Sequence, residues 1–378
     1  MKKALVCTAF ARFVKSFLTN DILLLQEKGY EVHCAANINH PGAECMKDYF
    51  KEMNVIFHQI DFSSNKPVSI ETLKSMKQMQ KLMDEQYFDL VHVHTPIAGA
   101  ICRIACRKYR KNGTKVIYTT HGFYFHKKSS RKTWLLYHTV EDVLSKYSDV
   151  IITINHEDYY NAKKMHCKKV YYIPGVGVDI HKYAEILLDR DAYRAQLGIT
   201  KNDFLILAVG ELSQRKNHRI VIEALAQAKV PNAVFMICGN AMTKANTTAE
   251  LKESAQKNGI DLRLMGLRDD IPEICKCADI GVISSLREGL GLSGIEMLAA
   301  GLPIVASNVH GIVDYVKDGE NGYLANPNSA GEFADAIQKL NNGQIRNVLA
   351  QACSQSVETF DAAYSHEAMR KIYEETLA

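Results

Sequence analysis

The chain has 378 residues, 47% hydrophobic and 23% charged, which suits two globular domains and argues against a disordered segment. The net charge is +4, and no stretch approaches the roughly 20 apolar residues of a membrane span. The ten cysteines are scattered, and neither Cys102 with Cys106 nor Cys275 with Cys277 has the paired spacing of a zinc site, so no structural metal is expected.

The opening MKKALVCTAFARF has an apolar run only from Ala4 to Ala11, closed by Arg12 with no cleavage site after it. It reads as a buried first strand rather than a secretion signal. Val- and Ile-rich runs at 4–8, 32–36, 90–94, 116–120, 150–154 and 170–173 lack clean alternation, as strands covered on both faces do. Helical patterns at 14–28, 70–85 and 133–146 separate them, and Gly29 fits a helix C-terminal glycine. The series then restarts, with strands at 204–209, 233–238, 262–265, 280–284 and 304–306 and helices at 220–229, 249–258, 292–300 and 330–340. This predicts α/β architecture used twice, with parallel sheets and a joint near 174–200. Ligands are expected just beyond the carboxyl ends of the strands.

One such place is SSLREGLGLSGIEMLAAGLPIVAS, residues 284–307. Gly289, Gly291 and Gly294 spell G-x-G-x-x-G, yet the next strand ends in Ser307 and Asn308 with no acid for a dinucleotide ribose. The alternative reading pairs Glu288 in the loop with Glu296 one and a half turns into the helix. Carboxylates accept from sugar and ribose hydroxyls. The glycines between them allow close backbone approach, and the helix start suits a diphosphate. Against this stands a plain surface loop in which Glu296 is only an exposed helix residue.

Several stretches together resemble a known family. THGFYF, YYIPGVGVD, VGELSQRKN, MGLRDDIPEICKCADIGVISSLREGLGLSGIEMLAAGLPIVAS and GENGYL occur in the order found in retaining GT-B-fold glycosyltransferases of the family-4, group 1 type, with a Glu-x7-Glu motif. THGFYF with ITINHEDY is similar to a capsule or exopolysaccharide subgroup. The resemblance implies two Rossmann-like domains facing across a cleft: 1–178 on the acceptor side, a linker at 179–200, a nucleotide-sugar domain at 201–355, and a last segment 356–378 crossing back to the first domain.

It also implies roles. Glu296 would bind the ribose and Glu288 the donor sugar. Backbone amides of Gly289, Leu290, Gly291 and Leu292 would meet the diphosphate. Lys216, in the turn opened by Gly210, would grip the diphosphate, where charge develops as the glycosidic bond breaks. Glu211 stands where the family usually has arginine, and Arg215 is the candidate substitute. His121 would lie near the anomeric carbon, and backbone near Arg268 would read the base. Asp270 is expected to cap the helix opening at Pro272. Phe10 and His94 are assigned to the acceptor side. Phe10, Phe13, Val14 and Phe17 offer either an apolar face to a lipid carrier or core packing, and core packing is also open for His94. His92 and His94 point to one face of a strand, but a third metal ligand is not apparent. No D-x-D-type metal motif appears where a metal-dependent relative would need one, so the chain is expected to work with no metal or other cofactor.

The expected donor is a UDP-linked nucleotide sugar and the expected acceptor a polyprenyl-diphosphate-linked saccharide. An epimerase of the same fold and a non-catalytic sugar-nucleotide binder remain as alternatives. Residues 1–180 hold 26 Lys and Arg against 17 Asp and Glu, a net +9, whereas 181–378 carry −5. Ten bases and no acid fall in the stretch 103–132, bounded by Arg103 and Lys132. Each can contribute about 1 kcal/mol near anionic lipid. A cytoplasmic protein held peripherally on the inner face of the membrane is expected. Nucleic acid is not an expected partner, because no recognition motif accompanies the charge.

Overall fold

The computed structural model describes residues 1–39, 43–63, 69–241 and 246–377. The chain divides into one unit of Met1–Val176 with Ala363–Ala378 and a second of Gly177–Ala362. In the first, strands β1 (Lys3–Phe10), β2 (Glu31–Asn37), β3 (Ile56–Gln59), β4 (Leu90–His94), β5 (Lys115–Thr120), β6 (Val150–Thr153) and β7 (Lys169–Tyr172) form a sheet ordered 3-2-1-4-5-6-7. In the second, β8 (Phe204–Val209), β9 (Ala233–Cys238), β10 (Asp261–Gly266), β11 (Ile280–Ile283), β12 (Ile304–Ser307) and β13 (Gly322–Ala325) follow the order 10-9-8-11-12-13. Every strand pair is parallel.

The central strands are apolar on both faces because helices cover both. Ala4–Cys7 of β1 and Leu205–Ala208 of β8 are fully buried. The outer strands β3 and β13, unforeseen from the sequence, have only four residues each, and β3 has no buried one. The helix expected over 14–28 is two helices, Ala11–Phe17 and Thr19–Glu27, broken at Leu18 (φ −121°, ψ 5°). The stripe Val14, Leu18, Ile22 and Leu25 stays buried through the break, which is why the pattern reads as continuous.

Residues 179–200 are not a bare linker. They carry helices Ile180–Ala184 and Arg190–Gln196 and count with the second unit, where buried Arg194 binds Asp279 and the carbonyl of Cys277. The final helix Ala362–Leu377 brings Tyr373 into the first unit, where its hydroxyl lies 2.7 Å from His92 Nδ1. All ten cysteines are free.

In both sheets the chain reverses its direction of strand addition, between β1 and β4 and between β8 and β11. Loops leaving adjacent carboxyl ends diverge there and leave room for a ligand.

Candidate active site

In the second unit the loops after β8 and β11 meet at that reversal. The first passes Gly210, whose added Cβ would lie 3.0 Å from Lys216 Cε, and turns through Gln214–Lys216. Ser284 Oγ donates to the Lys216 carbonyl at 2.8 Å, and Leu286 N to the Arg215 carbonyl at 2.9 Å. These bonds tie the two loops together. Three donors then converge on one oxygen: Lys216 Nζ lies 2.7 Å from Glu288 Oε1, Arg215 Nη1 2.8 Å and Ser285 Oγ 2.8 Å. Burial pushes the Glu288 carboxyl up, but Lys216 and Arg215 outweigh it and hold the group at about 2. Arg215, whose direction the sequence leaves open, faces this cluster, with Glu211 3.8 Å away on its other side.

The glycines of 289–294 have local reasons of their own. Gly291 (φ 83°) is the left-handed residue that opens helix Leu292–Ala299. A Cβ on Gly294 would fall 2.3 Å from the Tyr315 hydroxyl, which donates to the Gly291 carbonyl at 3.1 Å. The first amides of that helix lack intrahelical acceptors and carry the positive end of its dipole. Gly289 and Leu290 complete the approach, with the Glu288 carbonyl accepting from Gly311 N at 3.4 Å. Glu296 is half-buried one turn on. Burial raises its carboxyl above the ordinary range although the Tyr183 hydroxyl and nearby lysines oppose this. Tyr183 lies on the segment read as a linker, so nothing in the sequence pointed to it.

Arg268 follows β10, and its guanidinium Nε bonds Asp270 at 2.8 Å. Asp270 stands at the N-cap of helix Ile271–Cys277 but makes no side-chain cap, contrary to the sequence expectation. Its carboxylate is taken by Arg268 and by the Tyr193 hydroxyl.

In the first unit His94 ends β4 and His121 follows β5, with His94 Nδ1 3.1 Å from His121 Nε2. The His121 ring also meets Phe13 edge-on at 4.9 Å. Burial lowers His121 to about 4 and His94 well below its usual value, so both rings are neutral at neutral pH. His92 is a core residue: Thr119 Oγ1 takes its Nε2 at 2.8 Å and Tyr373 its Nδ1. Asp21, which the sequence did not reveal, lies with His92 and His94 in one cluster whose ligand atoms are all within 4.8 Å. Since both nitrogens of His92 are already bonded, this donor set does not suit a metal. Val14 is core, whereas Phe17, Asp21, His94 and His121 line a small cavity with His366 and Met369. Phe10 packs partly buried against the core at the end of β1.

Thr95 is a further residue that no sequence signal marked. It follows β4 at φ 62°, unusual for a β-branched residue, and its hydroxyl accepts from Ala9 N of β1 at 3.0 Å. It locks the two strands at the reversal. The stretch ITINHEDY positions its neighbours. Asn155 caps helix His156–Ala162, and buried Asp158 accepts from Phe123 N at 2.9 Å, holding the loop that follows His121.

The basic stretch 103–132 is not one open surface. Arg103 is wholly buried against Glu141 (2.8 Å) and over the Tyr118 ring, Arg110 binds Asp149, and Lys108 binds Asp84. Counting charges along the chain could not separate these from Lys127, Arg131 and Lys132, which are exposed. Among the described residues no helix is long and apolar enough to cross a membrane.

Known proteins resemble this chain in sequence and in fold. The profile of glycosyl transferases group 1 matches residues 189–356, and that of glycosyl transferase 4-like proteins matches 4–155. EpsD of Bacillus subtilis (strain 168), named as a glycosyltransferase, is 32% identical over 379 residues, spanning 98% of this chain and 96% of its own. The Escherichia coli UDP-Gal:alpha-D-GlcNAc-diphosphoundecaprenol alpha-1,3-galactosyltransferase is 29% identical over 300 residues, 76% of this chain and 75% of its own. Anabaena HepE, solved in complex with UDP and glucose, superposes with a TM-score of 0.76 at 20% identity, covering 100% of this chain and 99% of that one. WaaG, a glycosyltransferase involved in lipopolysaccharide biosynthesis, superposes at 0.71 and 18% identity over 98% and 99% of the two chains. At these identities the structures speak for the fold, which is GT-B. The chain belongs to the family-4, group 1 glycosyltransferases, retaining enzymes that take their sugar from a nucleotide donor.

Proposed function

We propose that the protein moves a sugar from a UDP-sugar to a polyprenyl-diphosphate-linked saccharide during synthesis of a bacterial surface polysaccharide. The observation that carries this reading is the convergence of Lys216, Arg215 and Ser285 on Glu288 beside the start of helix Leu292–Ala299. The lipid-linked acceptor is supported by the similarity to the diphosphoundecaprenol-dependent galactosyltransferase.

Before the donor arrives, Glu288 holds the two cations in place. The donor diphosphate then takes over Lys216 and Arg215, with helix amides on its other side, and Glu288 is released to accept from a sugar hydroxyl. Glu296 accepts from the ribose. The bond from the anomeric carbon to the diphosphate breaks while the acceptor oxygen bonds that carbon on the same face. The acceptor proton passes to the departing phosphate oxygen, so no separate base is needed. Lys216 and Arg215 stabilise the charge that grows on the leaving group. His121, neutral, donates or accepts one hydrogen bond at the sugar, and His94 sets its ring.

The test is release of UDP from a panel of UDP-sugars, with and without a membrane extract as acceptor source. Acceptor-dependent release from one donor supports the reading. Sugar turnover that leaves the nucleotide attached, with no acceptor, would instead indicate an epimerase. Donor binding with no release would indicate a binder.

A further inference from the structure

We propose that the amino ends of β5, β6 and β7 form a second ligand site, one for a soluble chain of phosphates, on the side of the first sheet away from the carboxyl ends. The site goes beyond the function proposed above and does not rest on it.

A cavity of about 310 Å³ opens where Lys115, Val150 and Lys169 begin these three strands. That is the size of a small-molecule pocket. Its lining is basic. Arg110, Lys115, Lys146, Lys168 and Lys169 stand against one acid, Asp149, a surplus of four positive charges with His166 left aside. Asp149 is fully engaged: it binds Arg110 at 2.6 Å and accepts from Val116 N at 2.8 Å. The four lysines remain. None of them forms an ion pair among the described residues, and Lys169 only reaches the Glu375 carbonyl at 3.4 Å. Exposed lysines elsewhere pair with acids, as Lys108 does with Asp84 and Lys201 with Asp191. Lys146 follows a helix C-terminus, where a base is expected in any case. The other three have no such local reason. The acids at the rim are already taken, Asp142 lying 3.5 Å from His166 and Glu375 accepting from the Tyr171 hydroxyl.

A second observation points to the same ligand. Ser148 lines this cavity, is 5% exposed, and its hydroxyl has no partner among the described residues. A buried hydroxyl left unpaired is costly, and an anionic oxygen satisfies it. The charge then selects how many phosphates. A single phosphate group brings about −2 at neutral pH, half of what the surplus calls for. A chain of two or three meets it, with the lysines acting as point charges around a flexible ligand. The lysines line a hollow, which a small anion enters and the flat face of a bilayer does not follow.

The full-length protein is titrated calorimetrically with tripolyphosphate, with saturating UDP present so that the donor site is filled. The expected result is one-to-one binding that weakens with salt and is at least about tenfold tighter than that of sulfate. The variant K115Q/K146Q/K168Q/K169Q should lose at least about tenfold in affinity, and S148A about threefold. The lysine variant should keep the wild-type melting temperature in the absence of ligand, which shows that it folds. No binding once UDP is present, equal affinity for sulfate, or undiminished binding by the lysine variant overturns the proposal. So does binding to phosphatidylglycerol vesicles that the lysine variant abolishes while tripolyphosphate binds neither form. A wild-type protein that binds tripolyphosphate but releases UDP from no UDP-sugar would count against the proposed function and leave this site standing.

Discussion

Lys216 Nζ and Glu288 Oε1 lie 2.7 Å apart, although one belongs to the loop after β8 and the other to the loop after β11. The pair is where the two halves of the reading, cation for the diphosphate and carboxylate for the sugar, become one device.

Lys216 is the more enclosed of the two cations, with 13% of its side chain exposed against 39% for Arg215. A charge farther from water acts through a lower dielectric. Lys216→Ala is therefore expected to lower kcat about a hundredfold, and Arg215→Ala about tenfold, with smaller changes in KM. Steady-state rates of UDP release decide this. Equal losses, or a larger one for Arg215→Ala, would reverse the assignment.

Glu288 titrates at about 2 in the fold against a usual 4.5. A group whose value is depressed stabilises the fold above its unfolded value and loses that contribution as pH falls through the folded one. The window is thus from about 4.5 down to about 2. Glu288→Gln should flatten this part of the stability profile, read from denaturant midpoints at successive pH values. A variant as acid-sensitive as the wild type across that window would show that the ion pair is not formed in solution.

Burial holds His121 at about 4, so it gains a proton only in strong acid. The rate should show no histidine inflection between about pH 5.5 and 8. His121→Asn, which can still donate and accept, should retain more activity than His121→Ala. An inflection near 6.5 that His121→Asn removes would mean that a charged imidazole takes part.

Gly294→Ala would place a methyl 2.3 Å from the Tyr315 hydroxyl and 2.8 Å from its ring. Overpacking of this kind costs about 1–3 kcal/mol. The variant should melt lower and bind UDP more weakly, and Tyr315→Phe should restore part of both. Melting curves and UDP titration of the double variant test this. No rescue would mean that Gly294 acts by some route other than packing on Tyr315.

Tyr373→Phe leaves the buried Nδ1 of His92 without its partner. The loss should be about 1–3 kcal/mol in stability. Because His92 and His94 have ring centres 4.1 Å apart, a fall in kcat without change in UDP affinity should accompany it. A purely thermal effect with unchanged kcat would confine Tyr373 to a structural role.

The sequence by itself determined the double α/β series and the central strands, because a strand buried on both faces must be a continuous apolar run. β8 and β9 match the expected 204–209 and 233–238. It also offered Lys216, through the family resemblance, and Glu288 and Glu296, through their spacing around a helix start, as candidates for the site, and the fold brings Lys216 against Glu288. The edge strands β3 and β13 were not legible, for they are short and only partly covered. Tertiary structure alone decided that Arg215 faces Glu288, that Asp270 pairs with Arg268 instead of capping a helix, and that Asp21 joins two histidines. It also decided that Arg103 is buried while Leu135 and Leu136 are exposed. Each of these depends on the direction of a side chain relative to residues far away in the chain. Periodicity says which face of an element is apolar, but only the assembled layers say whether that face meets protein or is left open.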